Sequence, residues 1–281
     1  MKIAYLGPEG SYSHLAAKTF LDTLSAPAFG SNECVPFRNA TEVFAAVSAG
    51  RVDCATVPIE NSLQGGVLQN MDLLQDSKDV YAVAERILKV DHRLVYKEGV
   101  KFTEIGRVYS HRQALGQCSA FLSREMPFAS LKDSESTAFG LVKAMEDETG
   151  KSAAIVGSHT EHIRKGFVMS EECISDEKNN FTHFLLLKKG KESLPSRSQR
   201  VFFSTVCPHR PGSLMELLQI IADCGVNMTK IESRPVKNIP GEYRFFIEAD
   251  CDIADPNVEK MFEKIRANTL ECKLLGAYER G

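Results

Sequence analysis

Over its first 188 residues the chain alternates short apolar runs of strand length with longer segments whose apolar residues recur every three or four positions. The strand-like runs fall at 2–6, 52–58, 80–88, 92–96, 106–109, 152–157 and 181–188. Helix-like segments fall at 12–24, 40–49, 66–76, 112–125 and 135–148. Such alternation predicts an α/β unit with a mostly parallel sheet covered by helices. Ligands of such sheets sit beyond the carboxyl ends of the strands. The polar clusters Gly7–Ser11, Glu60–Ser62 and Ser110–His111 fall there, so several strand-to-helix loops are expected to meet at one site.

The pattern then stops. Lys188 to Gln199 is polar and basic, with a Gly and a Pro and few apolar residues, which predicts a linker. Beyond it the order is βαββαβ: strand 201–206, helix 213–224, strand 227–235, a Pro240-Gly241 turn, strand 243–250, helix 256–267 and strand 270–278. Leu214, Leu217, Leu218 and Ile221 recur at helical spacing, so one helix face should pack on a sheet, as in a ferredoxin-like sandwich. The expected domains are 1–189 and 200–281, joined by 190–199.

Composition narrows the function classes. A chain of 281 residues with 43% apolar side chains can build about two domains. A net charge of −3 offers no basic surface, so no nucleic-acid partner is expected. No run approaches the roughly 18 apolar residues that cross a bilayer, and the apolar N-terminal stretch breaks too early for a signal peptide. A soluble cytoplasmic protein without a membrane partner is expected. The eight cysteines form no C-x-x-C pair and read as reduced thiols. Cys118 follows His111 by seven positions, too far along a helix for a nucleophile and base to meet. His159 and His162 have ligand-like spacing but no third ligand nearby, so capping or surface roles are expected and no metal.

Residues 180–184, Asn-Phe-Thr-His-Phe, place a hydroxyl at the mouth of an apolar strand. Strand alternation aims Asn180, Thr182 and Phe184 at one face and His183 at the other. No Ser-His-Asp set or paired carboxylate accompanies them, so chemistry here must run on hydrogen bonding. The Gly7–Ser11 turn either presents backbone N–H groups to an anion or is a plain turn with a serine cap. Glu60, Asn61 and Ser62 close a strand before a glycine turn. Ser110 and Gln113 read as the N-cap and N3 of a capping box, which leaves Gln117 on the same face unexplained. Ser134–Thr137 reads as a capped helix start.

Taken in order, Gly-Pro-x-Gly-Ser at 7–11, Pro-Ile-Glu-Asn-Ser at 58–62, Ser-His-x-Gln-Ala-Leu-x-Gln-Cys at 110–118, Ser-Thr-Ala at 136–138 and Asn-x-Thr-x-Phe at 180–184 resemble the motif series of prephenate dehydratases. The C-terminal unit resembles their ACT regulatory domain through Pro211-Gly-Ser-Leu214 and Glu232-Ser-Arg-Pro235. The resemblance implies a two-lobed, periplasmic-binding-protein-like catalytic domain that turns prephenate into phenylpyruvate without a cofactor. It implies catalytic roles for Thr182, Asn61, Ser110 and Gln117, and substrate-binding roles for Ser11, Ser62, Thr137 and Phe184. No chorismate mutase segment precedes Met1, so the monofunctional form is expected. Phenylalanine is implied as feedback inhibitor, bound by Gly212, Ser213 and Leu214, with Asn227, Glu232, Ser233 and Arg234 completing the site across a subunit interface. A homodimer or homotetramer follows. Arogenate dehydratase and a non-catalytic small-acid sensor are the competing functions.

Two positions depart from the family. His183 stands where Arg is usual after the threonine, and Arg112 stands where Pro is usual after Ser-His. Arg112 is expected to restore a positive charge lost at 183.

Overall fold

Each strand-like run of the first 188 residues forms a strand. The structure adds short ones, of two to five residues, that the sequence reading did not include: Glu33–Phe37, Gly65–Gly66, Ser130–Asp133 and Phe167–Met169. It is a computed structural model that describes residues 1–24, 32–161, 163–236, 239 and 241–281. His162 and Pro240, considered above, lie outside the described residues.

The strands form two sheets. In the larger, Glu33–Phe37, Lys2–Leu6, Cys54–Asn61, Phe181–Lys189 and Val80–Lys89 lie side by side in that order. The first three run parallel, but Phe181–Lys189 is antiparallel to both of its neighbours. The smaller sheet contains Phe167–Met169, His92–Lys97, Ser152–Gly157, Arg107–Ser110 and Ser130–Asp133, again with both senses of pairing. The expectation of a mostly parallel sheet is corrected to mixed sheets. The chain crosses from one sheet to the other after Lys89 and returns before Phe181, reversing the direction in which the last strand enters. The crossings run together, with the Val90 N–H donating to the Asn180 carbonyl at 2.8 Å. Phe184 to Leu187 are all buried, because helices cover both faces of this central strand.

The helix expected over 112–125 is two helices, Arg112–Gln117 and Ser119–Glu125. The Asp176 carboxylate, from the returning crossing, accepts from the Ala120 N–H at 3.1 Å and the Phe121 N–H at 3.3 Å. It thereby caps a second N-terminus where the sequence shows none.

The C-terminal strands Arg200–Val206, Asn227–Pro235, Tyr243–Asp250 and Glu271–Tyr278 form an antiparallel sheet with Asn227–Pro235 at its outer edge. Helices Ser213–Asp223 and Pro256–Asn268 supply Leu217, Ile221, Met261 and Ile265 to its core. This sheet joins the first one edge to edge, Gly276 opposite Ala82. A Cβ on Gly276 would lie 2.5 Å from the Ala82 carbonyl oxygen, so only glycine permits the junction. Phe202, Phe246 and Leu275 share one buried cluster with Val57 and Leu185. The segment expected as a linker is also held. Leu194 packs on the C-terminal core, and the Ser198 N–H donates to Asp252 at 2.9 Å.

Candidate active site

Thr182 and Asn61 face each other across neighbouring antiparallel strands. Asn61 Nδ2 donates to Thr182 Oγ1 at 3.0 Å and to Asn180 Oδ1 at 2.7 Å. Asn61 Oδ1 accepts from the Leu63 and Gln64 N–H groups at 3.1 and 3.2 Å, which fixes the amide with its nitrogen toward Thr182. Thr182 Oγ1 is therefore an acceptor from Asn61, and no described residue accepts its own hydrogen. That hydrogen is available to whatever occupies the adjoining cleft.

The cleft, of about 350 Å³, lies between the two sheets. Thr182, Asn61 and Phe184 line it from the central strands, Ser11 and Tyr12 from one strand-to-helix turn, and Gln117 and Thr137 from the helices of the smaller sheet. Two helices of useful length begin at its wall. Ser11 Oγ accepts from the His14 N–H at 3.2 Å at the start of Tyr12–Leu24, and Ser136 Oγ accepts from the Phe139 N–H at 3.1 Å at the start of Thr137–Glu146. Their N-termini favour an anion. No Lys or Arg lines the cleft among the described residues; Glu135 stands exposed at its rim. A bound anion would be held by neutral donors and helix ends.

Ser110 and Ser62 do not join this group. Ser110 is fully buried with Oγ donating to the Ile155 carbonyl at 2.9 Å. Nor does it cap the helix: His111 is the N-cap, its ring accepting from the Gln113 N–H at 3.4 Å. Ser62 lies behind the strand pair, where its Oγ accepts from the Phe181 N–H at 2.9 Å. Cys118 is buried, and burial pushes its thiol up to about 12, so no nucleophile stands beside His111. His92 is a cleft residue that the sequence reading missed, as is Tyr12. His92 is 5% exposed and its Nε2 lies 2.9 Å from Gln117 Oε1. Alternation with buried Leu94 was the signal available.

A family model for prephenate dehydratase matches residues 3–192. The chain belongs to the prephenate dehydratase family. A bifunctional chorismate mutase/prephenate dehydratase of Aquifex aeolicus is 32% identical over 283 aligned positions, spanning 100% of this chain and 74% of the relative. A prephenate dehydratase of Amycolatopsis methanolica is 31% identical over 99% of this chain and 88% of its own. The crystal structure of the prephenate dehydratase of Arthrobacter aurescens in complex with L-Phe is 29% identical, covers 100% of this chain and 90% of that one, and superposes with a TM-score of 0.81.

The two departures from the prephenate dehydratase pattern now have a place. His183 faces away from the cleft, its Nε2 2.8 Å from Glu85 Oε2, and Arg200 reaches the same carboxylate at 2.9 Å. Burial alone would raise the Glu85 pKa, but His183, Arg200 and the Gly281 N–H outweigh it and hold the carboxyl below its ordinary value. Arg112 is exposed and lies outside the cleft lining. The expectation that Arg112 replaces a charge lost at 183 is therefore corrected, since residue 183 does not face the cleft.

The expected effector residues separate into two groups within one chain. Gly212, at a φ of 84°, caps helix Ser213–Asp223, where Ser213 borders a pocket of about 420 Å³ with His209, Arg210 and Tyr243, and Leu214 packs on the core. Asn227, Glu232, Ser233 and Arg234 lie on the edge strand and do not line that pocket. Asn227 bonds Asp250 at 3.3 Å, and Arg234 pairs with Asp72 of the first unit at 2.9 Å. Glu232 lies against Gly66.

Proposed function

We propose that the chain is a carbon–oxygen lyase that converts prephenate into phenylpyruvate, carbon dioxide and water in phenylalanine biosynthesis. The observation that carries this reading is the Asn61–Thr182 pair at a neutral cleft in a prephenate dehydratase chain. The electrons of the breaking C–CO2 bond move into the ring, the ring becomes aromatic, and the 4-hydroxyl departs as hydroxide, which takes a proton from solvent to become water. Aromatisation drives the step, so no base is required. Thr182, oriented by Asn61, donates to the departing oxygen, which gains charge in the transition state. Gln117 and Thr137 supply further neutral donors, Ser11 binds substrate through the helix N-terminus that it caps, its own hydroxyl donating to the Leu6 carbonyl at 3.4 Å, and Phe184 supplies the apolar floor. Neutral donors hold two carboxylates without over-stabilising the one that must leave. Ser110 and Ser62 support the surrounding backbone from outside the cleft.

Residues 1–189 form the catalytic domain, with two periplasmic-binding-protein-like lobes, and 190–199 tie it to an ACT domain at 200–281. The βαββαβ order and the antiparallel four-strand sheet support the ACT reading. Phenylalanine is the feedback inhibitor, in line with the L-Phe complex of the Arthrobacter relative. Because the two expected effector groups are apart within one chain, a second copy must bring them together. The free edge Asn227–Pro235 suits such pairing in a homodimer or homotetramer. Eight free thiols fit an enzyme of the reducing cytoplasm.

Purified protein given prephenate, with phenylpyruvate followed directly, tests the reading. Turnover of arogenate to phenylalanine in its place would reassign the substrate, and turnover of neither would leave a binding protein.

A further inference from the structure

His92 is a buried titratable side chain at the cleft that the reaction above leaves without a task. It opens strand His92–Lys97, where the chain crosses from one sheet to the other. Its backbone is fixed, the carbonyl accepting from the Ile174 N–H at 2.9 Å. The Tyr12 ring stands edge-on to the imidazole, 6.4 Å between centroids at 81°. Tyr12 is itself anchored, its hydroxyl donating to the Asp91 carbonyl and accepting from the Asp91 N–H, both at 2.8 Å. Burial lowers the His92 pKa against opposing contributions from Gln117, Asp91 and the Val156 backbone, which keeps the ring neutral near pH 7.

A glutamine amide turns easily about its last torsion, so by itself Gln117 could show the cleft either a donor or an acceptor. Here its oxygen lies 2.9 Å from His92 Nε2, and no described residue accepts from its nitrogen. An amide oxygen only accepts, so in this arrangement of Gln117 the hydrogen lies on Nε2. His92 Nδ1 makes no hydrogen bond of good geometry among the described residues. The Gln117 backbone is held from the other crossing, its carbonyl accepting from the Asp176 N–H at 2.8 Å. Both crossings thus position this one side chain.

We propose that His92 is a positioning residue for the dehydratase reaction: as the neutral Nε2–H tautomer it binds the Gln117 carbonyl and turns the Gln117 NH2 group into the cleft as a donor to the anionic substrate. The proposal rests on the prephenate reading of the cleft. With the amide reversed, the cleft would meet a carbonyl oxygen, which repels a carboxylate.

Two measurements test it. In protein labelled with 15N-histidine, the His92 ring is expected to show a protonated Nε2 and an unprotonated Nδ1; Nδ1–H would overturn the proposal, whatever the substrate proves to be. Steady-state kinetics with prephenate on His92→Phe, Gln117→Ala and the double variant supply the second. His92→Phe is expected to lower kcat/KM about tenfold in the parent and less than about twofold in the Gln117→Ala background. Equal losses in both backgrounds would make His92 a packing residue only and overturn the proposal. If His92→Phe does not fold, as judged by circular dichroism, the tautomer measurement on the parent decides. Failure of the parent to turn over prephenate would refute the cleft reading and leave the tautomer result standing.

Discussion

Lys230 Nζ lies 2.6 Å from Glu60 Oε2, and Glu60 immediately precedes Asn61 on its strand. Across the pair, Glu60 is opposite His183 and Asn61 is opposite Thr182. Successive strand residues face opposite ways, so one face presents Asn61 and Thr182 to the cleft. The reverse face presents Glu60 to Lys230, and His183 to Glu85 and Arg200. The C-terminal unit therefore grips the back of the two strands that carry the proposed reacting pair.

Lys230→Met removes one of these grips without touching the cleft. Uninhibited kcat is expected to stay within about twofold, while the phenylalanine concentration for half-inhibition rises at least about fivefold. Calorimetric titration with phenylalanine separates lost coupling from lost binding. Unchanged half-inhibition would show that this contact carries no signal.

Thr182→Ala should lower kcat by about 10²- to 10³-fold, the usual effect of removing one donor to a developing oxyanion. Thr182→Ser, which keeps the hydroxyl, should lose far less. Asn61→Asp is expected to be worse than Asn61→Ala, since a carboxylate would capture the Thr182 hydrogen and repel a dianionic substrate. Rapid-quench single-turnover rates on the four variants check the order.

Glu85 makes a pH-dependent contribution to stability. Its folded pKa lies below the ordinary value of 4.5, so its contribution is fully present above that pH and is lost as pH falls through the folded value. Urea unfolding of the parent should therefore weaken with acidification below about pH 4.5 more steeply than that of Glu85→Gln. At pH 7 the substitution should cost about 1.5–3 kcal/mol, because buried Arg200 and His183 lose a shared charged acceptor while Arg200 keeps Glu248 and Asp250. Parallel curves for the two proteins would contradict the assignment.

Gly276→Val should destabilise the chain by about 1–3 kcal/mol, since its side chain meets Ala82 where the two sheets join. Separate melting of the two units in differential scanning calorimetry is the expected signature. A single unshifted transition would mean that the junction can relax.

The local pattern carried most of the element order. Runs such as Phe184–Leu187 and the spacing of Leu214, Leu217 and Ile221 report burial at neighbouring positions, and burial periodicity distinguishes strand from helix. The strands Glu33–Phe37 and Ser130–Asp133 were not legible because they are short and lie at sheet edges, where the first is only half-buried and the second is exposed. At the site, the motifs that resemble the prephenate dehydratase series pointed to Thr182, Asn61 and Gln117. They did not show that Ser110 turns inward to Ile155 or that Ser62 lies behind the strands.

The sequence by itself thus determined the βα alternation, the βαββαβ tail and the face on which Thr182 lies, because each depends on spacing within a few residues. Only the tertiary structure decided what distant segments do to one another. Asp176 ends one helix and starts another, the crossings reverse the central strand, and Asn61 meets Thr182 from 121 positions away. His92 gains its partner in the same way, through a hydrogen bond to Gln117 that spans 25 positions. Such contacts are set by strand register and by the path of the chain between sheets, which no local period encodes.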